Sequence, residues 1–196
     1  MPGPRTFRFS AEHKARSLGE LRSKFPGDPP VLTLKQAAKQ YRLGLSTLYF
    51  ATGRPETDYG LPGARLGRDI FVVGPSVREV YLGRHAWGSI VRVCMDSERY
   101  GYYTGVLRSR MAGLLSTDTL VRIAAPIEYP DAWERAADTD NMEGIREGIL
   151  GTAGTVLRQK ITGWVKSGRL PAIKVATQWV FLEEDTRLFP PSARWF

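Results

Sequence analysis

One cysteine, Cys94, and two histidines, His13 and His85, are the only thiol and imidazole groups in 196 residues. A single thiol excludes an intramolecular disulfide, and the histidines have no zinc-finger spacing around it. Long apolar runs are missing too. After Met1-Pro2-Gly3-Pro4-Arg5 the chain turns polar, with no stretch suited to a signal peptide or a membrane span. These absences imply a cytoplasmic protein, in a bacterial cell or a phage-infected host, with no membrane partner. No glycine-rich phosphate loop and no metal-ligand cluster is present, so neither cofactor nor metal is expected. Cys94 reads as a small core residue. Tyr100, Tyr102 and Tyr103 lie near Arg99, Arg108 and Arg110, but without the arginine and histidine context that activates a recombinase tyrosine. Glu183-Glu184-Asp185 falls where a helix should start, and favourable charge at a helix N-terminus accounts for it. The expectation is a protein that is not an enzyme.

What the chain has is positive charge and a repeat. Lysine and arginine number 28 against 20 acidic residues, a net charge of +8. A polyanion is therefore the default partner, although charge alone does not separate DNA from RNA or an acidic membrane. One punctuation pattern occurs twice. The first copy runs from Leu32-Thr33-Leu34 through Leu48-Tyr49 to Gly60-Leu61-Pro62-Gly63-Ala64-Arg65-Leu66, then Asp69-Ile70-Phe71-Val72-Val73. The second runs from Asp140 through Ile161-Thr162-Gly163-Trp164-Val165-Lys166-Ser167-Gly168 to Arg169-Leu170-Pro171-Ala172-Ile173-Lys174-Val175, then Gln178-Trp179-Val180-Phe181-Leu182. Two like surfaces on a short basic chain suit a repetitive acidic partner such as duplex DNA.

Residues 1–31 are expected to form a basic arm, with a short helix between Ser10 and Ser23 that Pro26-Gly27-Asp28-Pro29-Pro30 ends. The first module spans 32–82. Thr33 and Gln36 form a capping-box pattern that opens a helix with Ala37, Ala38 and Tyr41 on one face. A break at Arg42-Leu43-Gly44 leads to a second helix with Leu48 and Ala51 turned inward, the spacing of a helix-turn-helix. Gly53-Arg54-Pro55 stops it. A hairpin follows around Gly67-Arg68, and Ser76 with Glu79 caps a closing helix to about Leu82. The second module spans 140–196. Asp140 and Glu143 cap a helix bearing Ile145, Ile149 and Leu150, and Gly151-Thr152-Ala153-Gly154 makes the turn. Residues 156–166 form the second helix, Gly168 stops it, and a hairpin closes around Ala176-Thr177. The tail Phe189 to Phe196 is aromatic enough to pack back on the body. Residues 83–139 are a connecting region without a matching repeat. In it Ile90 to Leu115 reads as helix, Leu120 to Ala124 as strand and Asp131 to Ala137 as a short helix.

This order of elements, and above all the runs Trp164 to Val175 and Trp179-Val180-Phe181, resembles the winged helix-turn-helix of phage excisionases and MerR-type regulators. The two matches cover about half of the chain. The first copy departs by carrying extra residues around Arg54 to Tyr59, and by having Phe50-Ala51 where the second has Gly163-Trp164. The resemblance implies a mainly α fold with small β-hairpin wings (α+β): two winged helix-turn-helix modules joined by a partly helical middle region. It also implies sequence-directed binding of double-stranded DNA, with the second helix in the major groove and the wing on backbone or minor groove.

The chemistry of the matching residues can be read directly. Arg158, Gln159, Thr162 and Lys166 recur at helical spacing opposite Ile161 and Trp164, and arginine and glutamine suit guanine and adenine edges. Lys160 and Lys174 suit phosphates, and Thr177 sits at the second wing tip. In the first copy Ser46, Thr47 and Tyr49 occupy the matching face, weaker readers of bases. Arg65 and Arg68 lie on its wing, where a guanidinium fits a narrow minor groove. The expected role is a repressor-like transcriptional regulator of a phage or mobile element. The alternatives are an excisionase-like architectural factor, a plasmid replication or segregation factor, and a protein-interaction adaptor. The middle region is the candidate surface for a protein partner, an integrase, a polymerase or a second copy of the chain.

Overall fold

The computed structural model describes residues 8–25, 27–84, 89–137 and 142–188. His85, Asp140 and the tail from Phe189 lie outside them. The chain is mainly helical with small antiparallel sheets. It divides into two compact units, one of residues 22–112 and one of residues 1–21 with 113–196. This division differs from the four segments expected from sequence. The helix read in the basic arm is present as α1 (Ala11–Lys24), and it crosses the boundary between the units.

In the 22–112 unit, β1 (Val31–Thr33) runs directly into α2 (Leu34–Tyr41). The capping box is as the sequence implies: the Thr33 hydroxyl accepts from the Gln36 backbone N–H, and the Gln36 side chain accepts from the Thr33 N–H. Arg42 takes a left-handed conformation at the end of α2, and Gly44 opens α3 (Leu45–Ala51). Leu48 and Ala51 are buried, as their spacing requires. The hairpin of β2 (Ala64–Leu66) and β3 (Asp69–Val73) turns at Gly67, whose φ is +60°. Strand β3 also pairs with β1, Thr33 facing Phe71, which gives a sheet ordered β1-β3-β2.

The closing helix α4 (Gly74–Val80) begins two residues before Ser76. Pro75 in its first turn needs no hydrogen-bond partner for its nitrogen. Ser76 is therefore not a cap; its buried hydroxyl donates to the Val73 carbonyl. The unit continues through a two-stranded hairpin, β4 (Tyr81–Arg84) and β5 (Ile90–Arg92), and then α5 (Ser97–Met111). Helix α5 packs on β2 and β3. Its buried Tyr103 donates to Glu79 of α4 at 2.6 Å. Burial and this bond to a carboxylate push the phenol up to about 12.

The second unit repeats the order of elements. Strand β6 (Leu114–Ser116) leads into α6 (Thr117–Glu128), and Ser116 caps it by accepting from the Thr119 N–H. Then come α7 (Pro130–Ala137), α8 (Met142–Lys166), β7 (Ile173–Val175), β8 (Gln178–Leu182) and α9 (Glu183–Leu188). The sheet order β6-β8-β7 is that of the first sheet, and Ser116 faces Val180 as Thr33 faces Phe71.

Three expectations are corrected here. Leu120 to Ala124 is helix, not strand: the turn-by-turn burial of Val121, Ala124 and Ala125 belongs to a helix face. Ile90 to Leu115 is broken into β5, α5 and the start of β6. Gly151 to Gly154 makes no turn, because α8 runs through it unbroken. None of these glycines takes a positive φ, and a glycine in mid-helix costs only about 1 kcal/mol. Gly154 is buried against α6, where a Cβ would come within 3.5 Å of Val121 Cγ1. The partner helix of α8 is thus α6, some way upstream of the segment expected from sequence, with α7 and the first half of α8 inserted.

Leu157, Ile161, Trp164, Leu170 and Phe181 form the core beneath this hairpin, with Phe9 joining them ahead of α1. Each such side chain stabilises the unit by about 1.5–3 kcal/mol through burial. The chain start is therefore not a solvated arm in its described part. His13 Nε2 and the Ser17 hydroxyl both bond Asp185 Oδ1, at 2.6 and 3.0 Å, which clasps α1 to α9. Asp185 sits in the first turn of α9, as its charge suggested, but its side chain is only 1% exposed.

Candidate nucleic-acid interface

In each unit a helix leads through a short loop into a two-stranded hairpin. Equivalent backbone hydrogen bonds set the approach to both hairpins. The Leu61 N–H donates to the Ala51 carbonyl, and the Leu170 N–H donates to the Trp164 carbonyl. These bonds align Ala51 with Trp164 despite the longer first loop. The extra residues of that loop form a 3₁₀ turn (Glu56–Asp58), and the Gly60 N–H returns to the Pro55 carbonyl. The strand registers complete the correspondence, with Ala64 facing Phe71 and Ile173 facing Val180. Arg65 then corresponds to Lys174 and Arg68 to Thr177. Along the helices, Leu45, Ser46, Thr47, Tyr49 and Phe50 correspond to Arg158, Gln159, Lys160, Thr162 and Gly163.

On the second surface the expected residues converge. A groove of about 440 Å³ is lined by Thr155, Arg158, Gln159, Thr162, Gly163 and Lys166. Lys160 is half-buried and does not line it, while Lys174 and Thr177 are exposed on the hairpin. Arg158 is not loose. Its Nε donates to Asp118 Oδ1 of α6 at 2.9 Å. At 35% and 21% side-chain exposure this pair adds little stability, but it fixes the plane of the guanidinium. The terminal nitrogens remain on the other edge of the fork, the edge that pairs end-on with a guanine. Gly154 makes room for it: a Cβ there would stand 3.3 Å from Arg158 Nη1.

The first surface has another character. Ser46 and Tyr49 are exposed on α3, and the Thr47 carbonyl accepts from the Tyr81 hydroxyl at 3.3 Å. Burial raises the pKa of that Tyr81 hydroxyl, and the nearby guanidinium of Arg92 opposes the shift. A groove of about 280 Å³ brings Tyr49 to Arg65, with Thr52, Gly53, Gly63 and Ile70. Arg68 is exposed at the turn. Leu45 and Phe50 are 50% and 66% exposed beside Tyr49. Sequence reading passed over both, because helical spacing alone does not mark an apolar residue as outward. Asp118 was missed because it was placed in the connecting region rather than on a partner helix of α8.

Tyr103 is locked by Glu79, and the Tyr100 phenol is also raised, by burial and then by Glu56. Cys94, read as a core residue, is exposed, with its thiol 3.4 Å from the Thr57 carbonyl. Among the described residues no cluster of histidine, cysteine and carboxylates suits a metal, and no helix is long and apolar enough to cross a membrane. Comparison with known proteins returns no match: no family model fits the chain, and no curated protein or solved structure is similar to it.

Proposed function

We propose that the chain is a sequence-specific double-stranded DNA-binding protein with two winged helix-turn-helix modules, acting as a repressor-like regulator in a phage or mobile element. The observation that carries this reading is the recurrence, on a chain of net charge +8, of one helix-and-hairpin surface. Its second version gathers Arg158, Gln159, Thr162 and Lys166 on one groove. An α-helix of this kind fits the major groove, and lysines at Lys166 and Lys174 neutralise phosphates alongside it. Each module alone would bind weakly, and their covalent link raises the effective concentration of the second. Because the two helices differ, the site has two unlike halves.

Selection of bound duplexes from a random-sequence pool, with the full-length protein near physiological salt, tests this. One long motif with unlike halves is the expected result. Replacing Arg158 and Gln159 with alanine should relax preference in one half only; unchanged preference would overturn the assignment of the reading face. A permuted-site bending assay separates an occluding regulator, which leaves the duplex nearly straight, from an excisionase-like architectural factor.

A further inference from the structure

We infer that the first module reads thymine methyl groups, and that its half of the DNA site is A·T-rich; this rests on the DNA-binding reading above. Helix α3 has seven residues and none is charged. Yet it carries three of the ten exposed large apolar side chains among the described residues, Leu45, Tyr49 and Phe50. Spacing puts Leu45 and Tyr49 one turn apart, on the side away from buried Leu48 and Ala51. They occupy the positions where the second module has Arg158, Thr162 and Gly163. Surface of this kind on one small helix marks a contact rather than chance exposure.

The surroundings say what covers it. From Val31 to Ala51 there is no acidic residue, while Lys35, Lys39 and Arg42 are all exposed. Arg65 shares a groove with Tyr49, and Arg68 stands exposed at the hairpin turn. Exposed apolar side chains and the Ser46 hydroxyl on this basic stretch, with Arg65 beside Tyr49, complement a surface whose walls are phosphate and whose floor bears methyl groups. In the major groove only thymine offers a methyl, and apolar side chains recognise it by contact.

The test uses full-length protein and two random-sequence duplex pools, one made with thymine and one with uracil in its place, which pairs alike but lacks the 5-methyl group. The thymine pool should yield a motif with an A·T-rich half. The uracil pool should keep the other half and lose that one, at about fourfold in affinity for each methyl removed. Exchanging Tyr49→Thr and Phe50→Gly, the residues found at the equivalent surface positions of the second module, should abolish the preference for thymine over uracil. The same A·T-rich half from both pools, or no such half from either, would overturn the inference and leave DNA binding standing. Enrichment from neither pool would overturn DNA binding itself and turn the α3 face into a surface for a protein.

Discussion

The two surfaces are built on one backbone plan and differ almost entirely in side-chain chemistry. Both sheets have the same strand order, and both hairpins are reached through the same leucine N–H bond to the preceding helix. What the plan holds constant is buried: Leu48 against Ile161, Leu61 against Leu170, Thr33 against Ser116. What it varies is exposed. Arg158 held by Asp118 replaces Leu45, and Gly163 replaces Phe50. The recurring plan thus keeps the scaffold beneath the helix constant while the outer face of that helix changes.

The comparison breaks hardest at the loops before the hairpins. A Cβ on Gly60 would collide with the carbonyl oxygens of Arg54 and Pro55, and these are backbone atoms that cannot step aside. Gly60→Ala should cost about 3 kcal/mol or more and disturb the β2-β3 hairpin while the second unit keeps its melting transition. Calorimetry of the full-length protein, which can resolve the two units, checks this. A single unshifted transition would show that the loop yields more easily than its packing suggests.

A smaller effect separates the units by pH. Tyr103 is raised to about 12 by burial and by Glu79, so the folded state holds its proton more tightly than the unfolded chain. That stability is fully present below pH about 10, the ordinary tyrosine value, and is lost as the pH rises through about 12. Alkaline titration should therefore loosen the 22–112 unit, and Tyr103→Phe should remove this part of the pH dependence. The same substitution should cost about 1–2 kcal/mol at neutral pH, since it removes a part-buried bond to a carboxylate. Lys174→Ala should leave folding alone and lower the salt slope of DNA binding by about 1. An unchanged slope would take Lys174 off the phosphate contacts.

Much of the first unit was legible because its signals are local. The Thr33 cap, the break at Gly44 and the Gly67 turn each rest on a few adjacent residues with one favoured geometry. The second unit hid its beginning. Its first strand and helix, Leu114 to Glu128, lie far upstream of their hairpin because α7 and half of α8 are inserted, so the repeat does not keep one offset along the chain. The signal that could have found them is Leu114-Leu115-Ser116, two aliphatics and a capping hydroxyl, matching Val31-Leu32-Thr33. Gly151 and Gly154 misled for the opposite reason. A glycine permits a turn, but only a cap or an unsatisfied backbone enforces one, and packing of α8 on α6 settled the choice. The clasp of His13 and Ser17 on Asp185 joins residues too distant in sequence for any local pattern to reveal.

The finest test of the shared plan is at the two hairpin turns. Gly67 and Ala176 occupy the same position with φ of +60° and +53°. Glycine adopts this region freely, whereas an L side chain there costs about 1–2 kcal/mol. Part of that gain is offset on going to glycine, because the unfolded chain becomes more flexible by about 0.4–1 kcal/mol. Ala176→Gly should therefore stabilise the second unit slightly, by about 0.5–1 kcal/mol, and raise its melting midpoint by a few degrees. Gly67→Ala should lower that of the first unit by a similar amount. Ala176 is exposed, so no lost packing confuses the result. Opposite shifts from one exchange made in both directions would show that the two turns share a conformation as well as a position.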